Sequence, residues 1–188
     1  MDLPPTQNYT RLPPIVIHYL DEFLLVIEKP AGVLSVPGGF SPDVPHIQML
    51  LPTHLGRVWM VHRLDRDTSG VMLLARSSAV HRALNMMFDA REIHKTYQAI
   101  IHGTPEWDNI TCAEPLLVNA DRSHRTRVSS RGKPARTDFQ VLERYAGKAA
   151  LILAKPRTGL THQIRAHLSY LGYPIIQDSL YASRAEQA

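Results

Sequence analysis

The stretch that decides the fold of this chain reads His62-Arg63-Leu64-Asp65-Arg66-Asp67-Thr68-Ser69-Gly70. Its charged and turn-forming residues lie between two apolar flanks, 58–61 and 71–75, whose composition is typical of strands. We therefore predict a strand, a charged loop and a second strand. Residues two apart share a face of an extended chain, so Arg63 and Asp65 are expected side by side, with Leu64 turned toward a core. An exposed ion pair is the simpler interpretation of this Arg-x-Asp spacing.

Length and composition predict one globular domain. The chain has 188 residues, of which 44% are hydrophobic and 20% charged, enough for a sizeable core. Residues 1–14 contain four prolines and are expected to form an arm lying on the folded body, residues 15–188. The single cysteine, Cys112, excludes an internal disulfide, and no apolar stretch approaches the ~20 residues that cross a bilayer. We therefore expect a cytoplasmic protein without membrane contact.

The distribution of charge indicates an anionic partner. The formal net charge is +4, and nucleic acid is the commonest partner of a small basic domain. Between residues 122 and 136 the chain has six cations and no acidic residue: Arg122, Arg125, Arg127, Arg131, Lys133 and Arg136. Such a run suits contacts with phosphate, and a solvated surface loop is the alternative.

Patterning along the chain predicts several further elements. Strands are expected at 15–20, 23–29, 94–102, 111–119, 134–145 and 148–155, with a hairpin turn at Ala146-Gly147. An amphipathic helix is expected at 77–91, with Ser77 or Ser78 as its N-cap and Met86 and Met87 filling the core. Thr158 or Thr161 is expected to cap a second helix, whose apolar side is Ile164, Leu168 and Leu171.

Several segments resemble the RluA-type pseudouridine synthase family. Residues 62–70, His-Arg-Leu-Asp-x-x-Thr-Ser-Gly, are similar to its signature, and Lys95-Thr96-Tyr97 is similar to its Lys-x-Tyr element. Residues 29–32, 159–167 and 174–181 are similar to its Lys-Pro-x-Gly, Gly-Arg-Thr-His-Gln-Ile-Arg-x-His and Pro-Ile-x-x-Asp-x-x-Tyr segments. The resemblance covers roughly residues 15–181.

The chain also departs from the family pattern at two places. Leu160 stands where the family usually has a cation. The family's further strand, with a Leu-His-Ala motif, does not follow Tyr181, so the closing strand of the sheet is expected to be absent.

The resemblance implies an α+β fold, with a mixed, largely antiparallel sheet, flanking helices and a central RNA-binding cleft. It implies isomerisation of uridine to pseudouridine in structured RNA, without a cofactor. In that reaction Asp65 is the nucleophile, Tyr97 stacks on the target uracil and is a candidate to take its C5 proton, and Arg165 pairs with Asp65. The small size most resembles family members that act on both large-subunit rRNA and tRNA, and a monomer is expected.

The partner is therefore expected to be an RNA stem-loop from rRNA, tRNA or both. Arg63 is a candidate to fill the gap left by the flipped base. Other candidate RNA contacts are His62, Lys95, Arg125, Arg127, Lys133 and His162.

Other interpretations of the same residues stay open. Without the resemblance, Tyr97 is a strand tyrosine facing the core. Asp65 and Asp67 are a carboxylate pair of the kind that hydrolyses glycosidic bonds, which would make the protein an RNA N-glycosylase. A non-catalytic RNA-binding protein or RNA chaperone is a third possibility. We expect no metal site, because His162 and His167 are five residues apart and the chain has one cysteine.

Overall fold

The structure is a computed structural model that describes residues 14–38 and 44–183, so nearly all of the predicted arm, 1–14, lies outside the described residues. The chain divides into two compact units, Met1–Ala90 and Arg91–Ala188. Each unit has its own sheet. The expectation that residues 15–188 act as one domain stays a prediction.

The first unit is built on a four-stranded antiparallel sheet with the order β1-β2-β4-β3. Side chains alternate between the two faces of β2 (Leu24–Lys29), so Leu25, Ile27 and Lys29 point to the buried side. There they lie next to Met72 and Leu74 of β4 (Gly70–Ala75). The strands are β1 (Val16–Leu20), β2 (Leu24–Lys29), β3 (Trp59–Met60) and β4 (Gly70–Ala75). The prediction of two strands flanking a charged loop is thus confirmed.

The helices of this unit are α1 (Ile47–Leu50), a 3₁₀ turn (Thr53–Leu55) and α2 (Ser78–Asp89). Ser77 caps α2, because its hydroxyl accepts a hydrogen bond from the backbone N–H of Val80 at 3.3 Å. The prediction that Met86 and Met87 fill the core is wrong, since they are 65% and 40% exposed. Leu84 is the buried residue of α2, and Met86, two positions later, points to the other side of the helix. Met87, three positions later, lies beside the buried side and is still exposed.

The second unit has a four-stranded antiparallel sheet with the order β5-β10-β9-β6. Its strands are β5 (Tyr97–His102), β6 (Asn109–Cys112), β9 (Thr137–Tyr145) and β10 (Ala149–Pro156). A separate ribbon pairs β7 (Leu116–Leu117) with β8 (Arg127–Val128). The predicted strand at 111–119 is therefore split, whereas the hairpin is confirmed, with φ of 45° at Ala146 and 72° at Gly147.

Helix α3 (Gln163–Tyr170) covers one face of this sheet. Its Leu168 packs with Ile101, Phe139 and Ile152, and the buried thiol of Cys112 belongs to the same core. At the β5 edge, the N–H of His102 donates to Pro174 and the N–H of Ile176 donates to Ile100, both at 2.9 Å. Residues 174–176 therefore extend the sheet beyond β5. Antiparallel sheets with a few helices make this an α+β fold, as the family resemblance implies.

Within residues 14–38 and 44–183, no helix is long and apolar enough to cross a membrane.

Candidate active site

Asp65 lies half-buried in the loop between β3 and β4. The residue before it, Leu64, is held by hydrogen bonds to Ser35. The hydroxyl of Ser35 donates to the Leu64 carbonyl at 2.7 Å and accepts from the Leu64 N–H at 3.0 Å. The Leu64 side chain is 7% exposed, which confirms that it turns into the core. The backbone on the N-terminal side of Asp65 is therefore held at both of its polar groups.

A buried lysine fixes the backbone on the other side of Asp65. The ammonium group of Lys29 donates to the carbonyls of Pro30, Val33 and Arg66 at 2.7–2.9 Å, and the side chain is 0% exposed. Burial lowers the pKa of Lys29 to about 8, although the negative charges of Asp67 and Asp65 oppose this change. The sequence interpretation missed this role, yet strand alternation places Lys29 on the buried side of β2.

His62 and Arg63 differ in their surroundings. The Nε2 atom of His62 accepts from the Leu73 N–H at 3.0 Å, and its ring packs 5.2 Å from that of Phe88. Arg63 is exposed. An exposed ion pair in this loop joins Arg66 to Asp67 at 3.0 Å. His62 thus helps to fasten the loop to β4, while Arg63 presents its side chain to solvent.

Tyr97 begins β5 in the second unit, and Lys95 lies two residues before the strand. Tyr97 is partly buried and packs against the core cluster that includes Ile152 and Leu168. Burial lowers the pKa of Lys95, whose Nζ lies 3.2 Å from the position that a Cβ on Gly159 would occupy. A side chain at residue 159 would therefore displace this ammonium group.

Arg165, on α3, is held by the segment that follows the helix. Its Nε and Nη2 atoms donate to the two oxygens of Asp178 at 2.7 and 2.8 Å, and the guanidinium lies 4.9 Å from the centre of the Tyr181 ring. Burial raises the pKa of Asp178, but the bonds and charge of Arg165 together with the N–H groups of Leu180 and Tyr181 outweigh it and hold the pKa below its usual value. The predicted pairing of Arg165 with Asp65 joins residues of different units and stays a prediction.

The start of α3 is organised by the side-chain amide of Gln163, to which the sequence pattern assigns no role of its own. Its oxygen accepts from the Thr158 hydroxyl and the Leu160 N–H, and its nitrogen donates to the Arg136 carbonyl and Thr137 hydroxyl, at 2.7–3.1 Å. The prediction that Thr158 or Thr161 caps α3 is wrong. His162 is the N-cap residue, in the left-handed conformation with φ of 55°. The Thr158 hydroxyl donates to the side chain of Gln163 and does not cap the helix.

The two histidines of this segment also have partners. His167 is fully buried, and burial lowers its pKa; Nε2 donates to the Glu114 carbonyl at 3.0 Å and Nδ1 accepts from the Thr137 hydroxyl at 2.9 Å. His162 Nδ1 lies 3.2 Å from the Tyr181 hydroxyl. In the part of the chain that the structure describes, no three His, Cys, Asp or Glu side chains are grouped as metal ligands would be.

The basic run is more ordered than a simple surface loop. Asp121 bonds to both Arg125 and Arg127, at 2.7 and 3.0 Å, so it offsets part of the charge of two candidate RNA contacts. Lys133 exchanges both backbone hydrogen bonds with Leu116 at 2.9 Å. At the preceding residue, Gly132, a Cβ would lie 2.3 Å from the Leu116 carbonyl carbon, so only glycine fits there. The run is therefore tied to β7 and presents its cations on a fixed backbone.

Leu160, the departure from the family pattern, has an apolar environment. It is partly buried against the small core of Leu116, Ala135 and Ala166. A charged residue here would not pack against that core.

Comparisons with known proteins agree with these motifs. The family model for RNA pseudouridylate synthases matches residues 23–170. The dual-specificity RNA pseudouridine synthase RluA of Salmonella typhi is 38% identical over 180 residues, which cover 94% of this chain and 82% of that protein. The ribosomal large subunit pseudouridine synthase C of Vibrio cholerae is 39% identical over 170 residues, 89% of this chain and 53% of that protein.

A solved structure shows the same fold. The human protein RNA Pseudouridylate Synthase Domain Containing 1 superimposes with a TM-score of 0.79 at 30% identity, covering 92% of this chain and 71% of the human chain. The resemblance to RluA-type synthases is thereby confirmed. The chain belongs to the RNA pseudouridylate synthase family and is a pseudouridine synthase, an isomerase that acts on uridine in RNA.

Proposed function

We propose that the chain converts specific uridines to pseudouridine in stem-loops of rRNA, tRNA or both. Support comes from relatives whose names include dual-specificity RNA and ribosomal large subunit pseudouridine synthases. As part of the same proposal, residues 15–188 function as one catalytic domain, and the enzyme is a cytoplasmic monomer that needs no cofactor and does not contact membranes.

The observation that carries the proposal is how Asp65 is held. Ser35 fixes Leu64, Lys29 fixes the Arg66 carbonyl, and the Gly32 N–H donates to that same carbonyl at 2.8 Å. The backbone is thus anchored immediately before and after one half-buried carboxylate. Holding a reacting group in a fixed position lowers the entropic part of the barrier, so this anchoring suits a nucleophile.

Asp65 is the catalytic residue of the proposed reaction. The glycosidic bond between uracil N1 and ribose C1′ breaks, the uracil turns, and a bond forms between C5 and C1′. The proton on C5 is lost and N1 gains a proton, so the product is an isomer of the substrate. Two routes fit a carboxylate: attack on C1′, with later departure, or removal of a sugar proton.

Tyr97 and Arg165 are the other proposed catalytic residues. The ring of Tyr97 offers a flat surface on which uracil stacks, and its hydroxyl is a candidate to take the C5 proton. Arg165 pairs with the Asp65 carboxylate during the reaction. Asp178 orients the guanidinium, because a bidentate pair fixes both its position and its plane.

RNA contacts are proposed for His62, Arg63, Lys95, Arg125, Arg127, Lys133 and His162. The target base must leave the helical stack, and Arg63 is exposed at the active loop, so it is proposed to occupy the vacated space. The remaining cations are proposed to contact phosphates.

Release of tritium from C5 of labelled uracil tests the proposal directly. The native chain is incubated with rRNA and tRNA transcripts, beside Asp65→Asn, which keeps the size of the side chain but removes its nucleophilic carboxylate. We expect release by the native chain only, with the label leaving as water and no free uracil. As a matched control, Asp67→Asn removes the exposed carboxylate two residues away and should retain activity.

Each other result rejects a stated part of the proposal. Free uracil would indicate an RNA N-glycosylase. RNA binding without tritium release would indicate a non-catalytic RNA-binding protein. Equal release by native and Asp65→Asn proteins would exclude Asp65 from the chemistry.

A further inference from the structure

A group of charged side chains lies at the end of the second sheet where β9 begins and β10 ends. We call Arg136, Asp138, Lys155 and Arg157 the Asp138 cluster. The Nε atom of Arg157 donates to the Asp138 carboxylate at 2.7 Å, and Nε of Arg136 lies 3.5 Å from it. Lys155 is the cross-strand partner of Asp138, and the Thr111 hydroxyl donates to the carboxylate at 2.8 Å. Donors from both neighbouring strands thus converge on one carboxylate.

The positive charges of the Asp138 cluster outnumber its single negative charge. Three cations and one carboxylate leave a net charge of +2. Arg136 and Arg157 are directly opposite, because the Arg157 N–H donates to the Arg136 carbonyl at 2.8 Å, and like charges facing each other across strands are unfavourable. The bond from Arg157 is the main reason that the pKa of Asp138 lies below its usual value, so the carboxylate stays ionised. An anion from solution would offset the remaining charge.

Both guanidinium groups are accessible to such an anion. The side chains of Arg136 and Arg157 are 59% and 52% exposed although they contact Asp138. The planar guanidinium suits the oxygens of a phosphate, to which it can donate two parallel bonds. The Asp138 cluster therefore presents two partly oriented phosphate-binding groups.

The cluster lies at the end of a groove on the face of the sheet opposite α3. The groove has a volume of about 310 Å³ and includes Asn109, Gln140 and Leu153 beside the cluster. Strand alternation turns Phe139 and Ile152 to the α3 face and these three side chains to the other face. Amides that both donate and accept, next to an apolar side chain, suit the hydroxyls and carbon edge of a sugar.

The position of the cluster within the sheet favours RNA as the ligand. Tyr97 opens β5 and pairs with Ala154, three residues before Arg157, so the proposed uracil-stacking residue, on the α3 face, and the cluster, on the opposite face, lie at the same end of the sheet, around which an RNA backbone can pass. We propose that the Asp138 cluster and its groove bind the sugar-phosphate backbone of the RNA substrate away from the target nucleotide. This inference rests on the proposed function and adds Arg136, Lys155 and Arg157 to the RNA-binding surface.

The test is the double variant Arg136→Gln/Arg157→Gln, assayed by tritium release from a tRNA stem-loop between roughly 50 and 200 mM salt. We expect KM to rise roughly tenfold while kcat stays within about twofold, because the two guanidinium groups bind the backbone and do not touch the reacting atoms. The slope of log(kcat/KM) against log salt should become shallower by about 1 to 2, near 0.7–0.9 for each phosphate that is no longer neutralised.

Two matched variants separate local binding from general charge and from folding. Arg136→Lys/Arg157→Lys keeps both charges, so its salt slope should stay near the native one. Arg82→Gln/Lys148→Gln removes two exposed cations from other elements and should leave KM nearly unchanged. The urea midpoint of each variant shows that the fold is intact.

The outcomes distinguish this inference from the proposed function. If the native chain releases tritium and the Gln double variant matches Arg82→Gln/Lys148→Gln in KM and slope, the inference is overturned. If the native chain releases none, the proposed function fails. Fluorescence anisotropy with the same stem-loop, now carrying a fluorophore, then tests the inference. The inference requires that Arg136→Gln/Arg157→Gln binds the RNA more weakly than Arg82→Gln/Lys148→Gln does.

Discussion

Lys29 is buried, although lysine is among the residues least often found inside proteins. Its three carbonyl partners come from the turn after β2 and from the loop that contains Asp65. One ammonium group thus holds together two segments that are 37 residues apart in the chain. Burying a charge is unfavourable, and the three hydrogen bonds of the ammonium group offset this cost while they fix the loop.

The lowered pKa of Lys29 predicts a pH dependence of stability. The native pKa is about 8 and the ordinary value 10.5, so between these values the unfolded chain binds more protons than the native chain. In that window Lys29 contributes about 1.4 kcal/mol per pH unit to a rise in unfolding free energy. Lys29→Met should lose this contribution, whereas Lys148→Met, at an exposed position, should keep it. Urea denaturation at pH 7.5, 8.5 and 9.5 gives the unfolding free energy of the native protein and of both variants. If this free energy changed equally with pH in the native and Lys29→Met proteins, the prediction would be contradicted.

Asp178 is predicted to act on catalysis through Arg165. Asp178→Asn keeps Oδ1 as the acceptor for the N–H groups of Leu180 and Tyr181 but loses the charge and the second oxygen, which accepts from Nε of Arg165. We expect kcat to fall roughly 10- to 100-fold with little change in KM, a loss of 1.4–2.8 kcal/mol. Tritium release measured over a range of RNA concentrations gives kcat and KM separately. Asp108→Asn, which breaks an exposed pair with Arg144, is the control.

A double-mutant cycle distinguishes positioning by Asp178 from a general loss of structure. If Asp178 acts through Arg165, the variant Asp178→Asn/Arg165→Lys should be little worse than Arg165→Lys alone. Additive losses would show that the two residues act independently.

Helix α3 is tied to the strand β9 by buried polar contacts as well as by apolar packing. Gln163 uses both of its acceptor sites and both of its donors, and the Thr137 hydroxyl links it to His167 and thereby to the Glu114 carbonyl. A fully satisfied polar network of this kind sets a unique register between a helix and a strand. The position of Arg165, between Gln163 and His167, depends on that register.

Changing the amide of Gln163 to a carboxylate should weaken this connection. In Gln163→Glu a buried oxygen replaces the nitrogen that donates to Arg136 and Thr137, so we expect a loss of roughly 2–4 kcal/mol in unfolding free energy at pH 7. Burial raises the pKa of the introduced carboxyl, so the loss should shrink as pH falls through that raised pKa. Urea denaturation at pH 5 and 7 tests this, with Gln98→Glu at an exposed position of β5 as control. Equal losses in the two variants would reject the role of the network.

Strand-like composition, turn residues and helical periodicity together predicted most elements of the fold, and a motif predicted the family. The apolar composition of the flanks of 62–70 predicted β3 and β4, and the Ala146-Gly147 turn predicted the β9–β10 hairpin. Met86, Met87 and the cap of α3 were predicted wrongly, because local patterns do not show which side of a helix meets a sheet or which hydroxyl is already bonded. Lys29 reaches the carbonyl of Arg66, 37 residues away, and Arg165 pairs with Asp178, 13 residues away, so the spacing within each motif could not find these partners.

Cys112 is the one thiol of the chain and lies within the core of the second sheet. Burial raises its pKa, which keeps the sulfur in its unreactive protonated form. An alkylating reagent therefore reaches this sulfur only during excursions that open the sheet, and the alkylation rate reports the free energy of those excursions. The alkylation rate of Cys112 thus measures local opening around β6 in the native protein, without an engineered label.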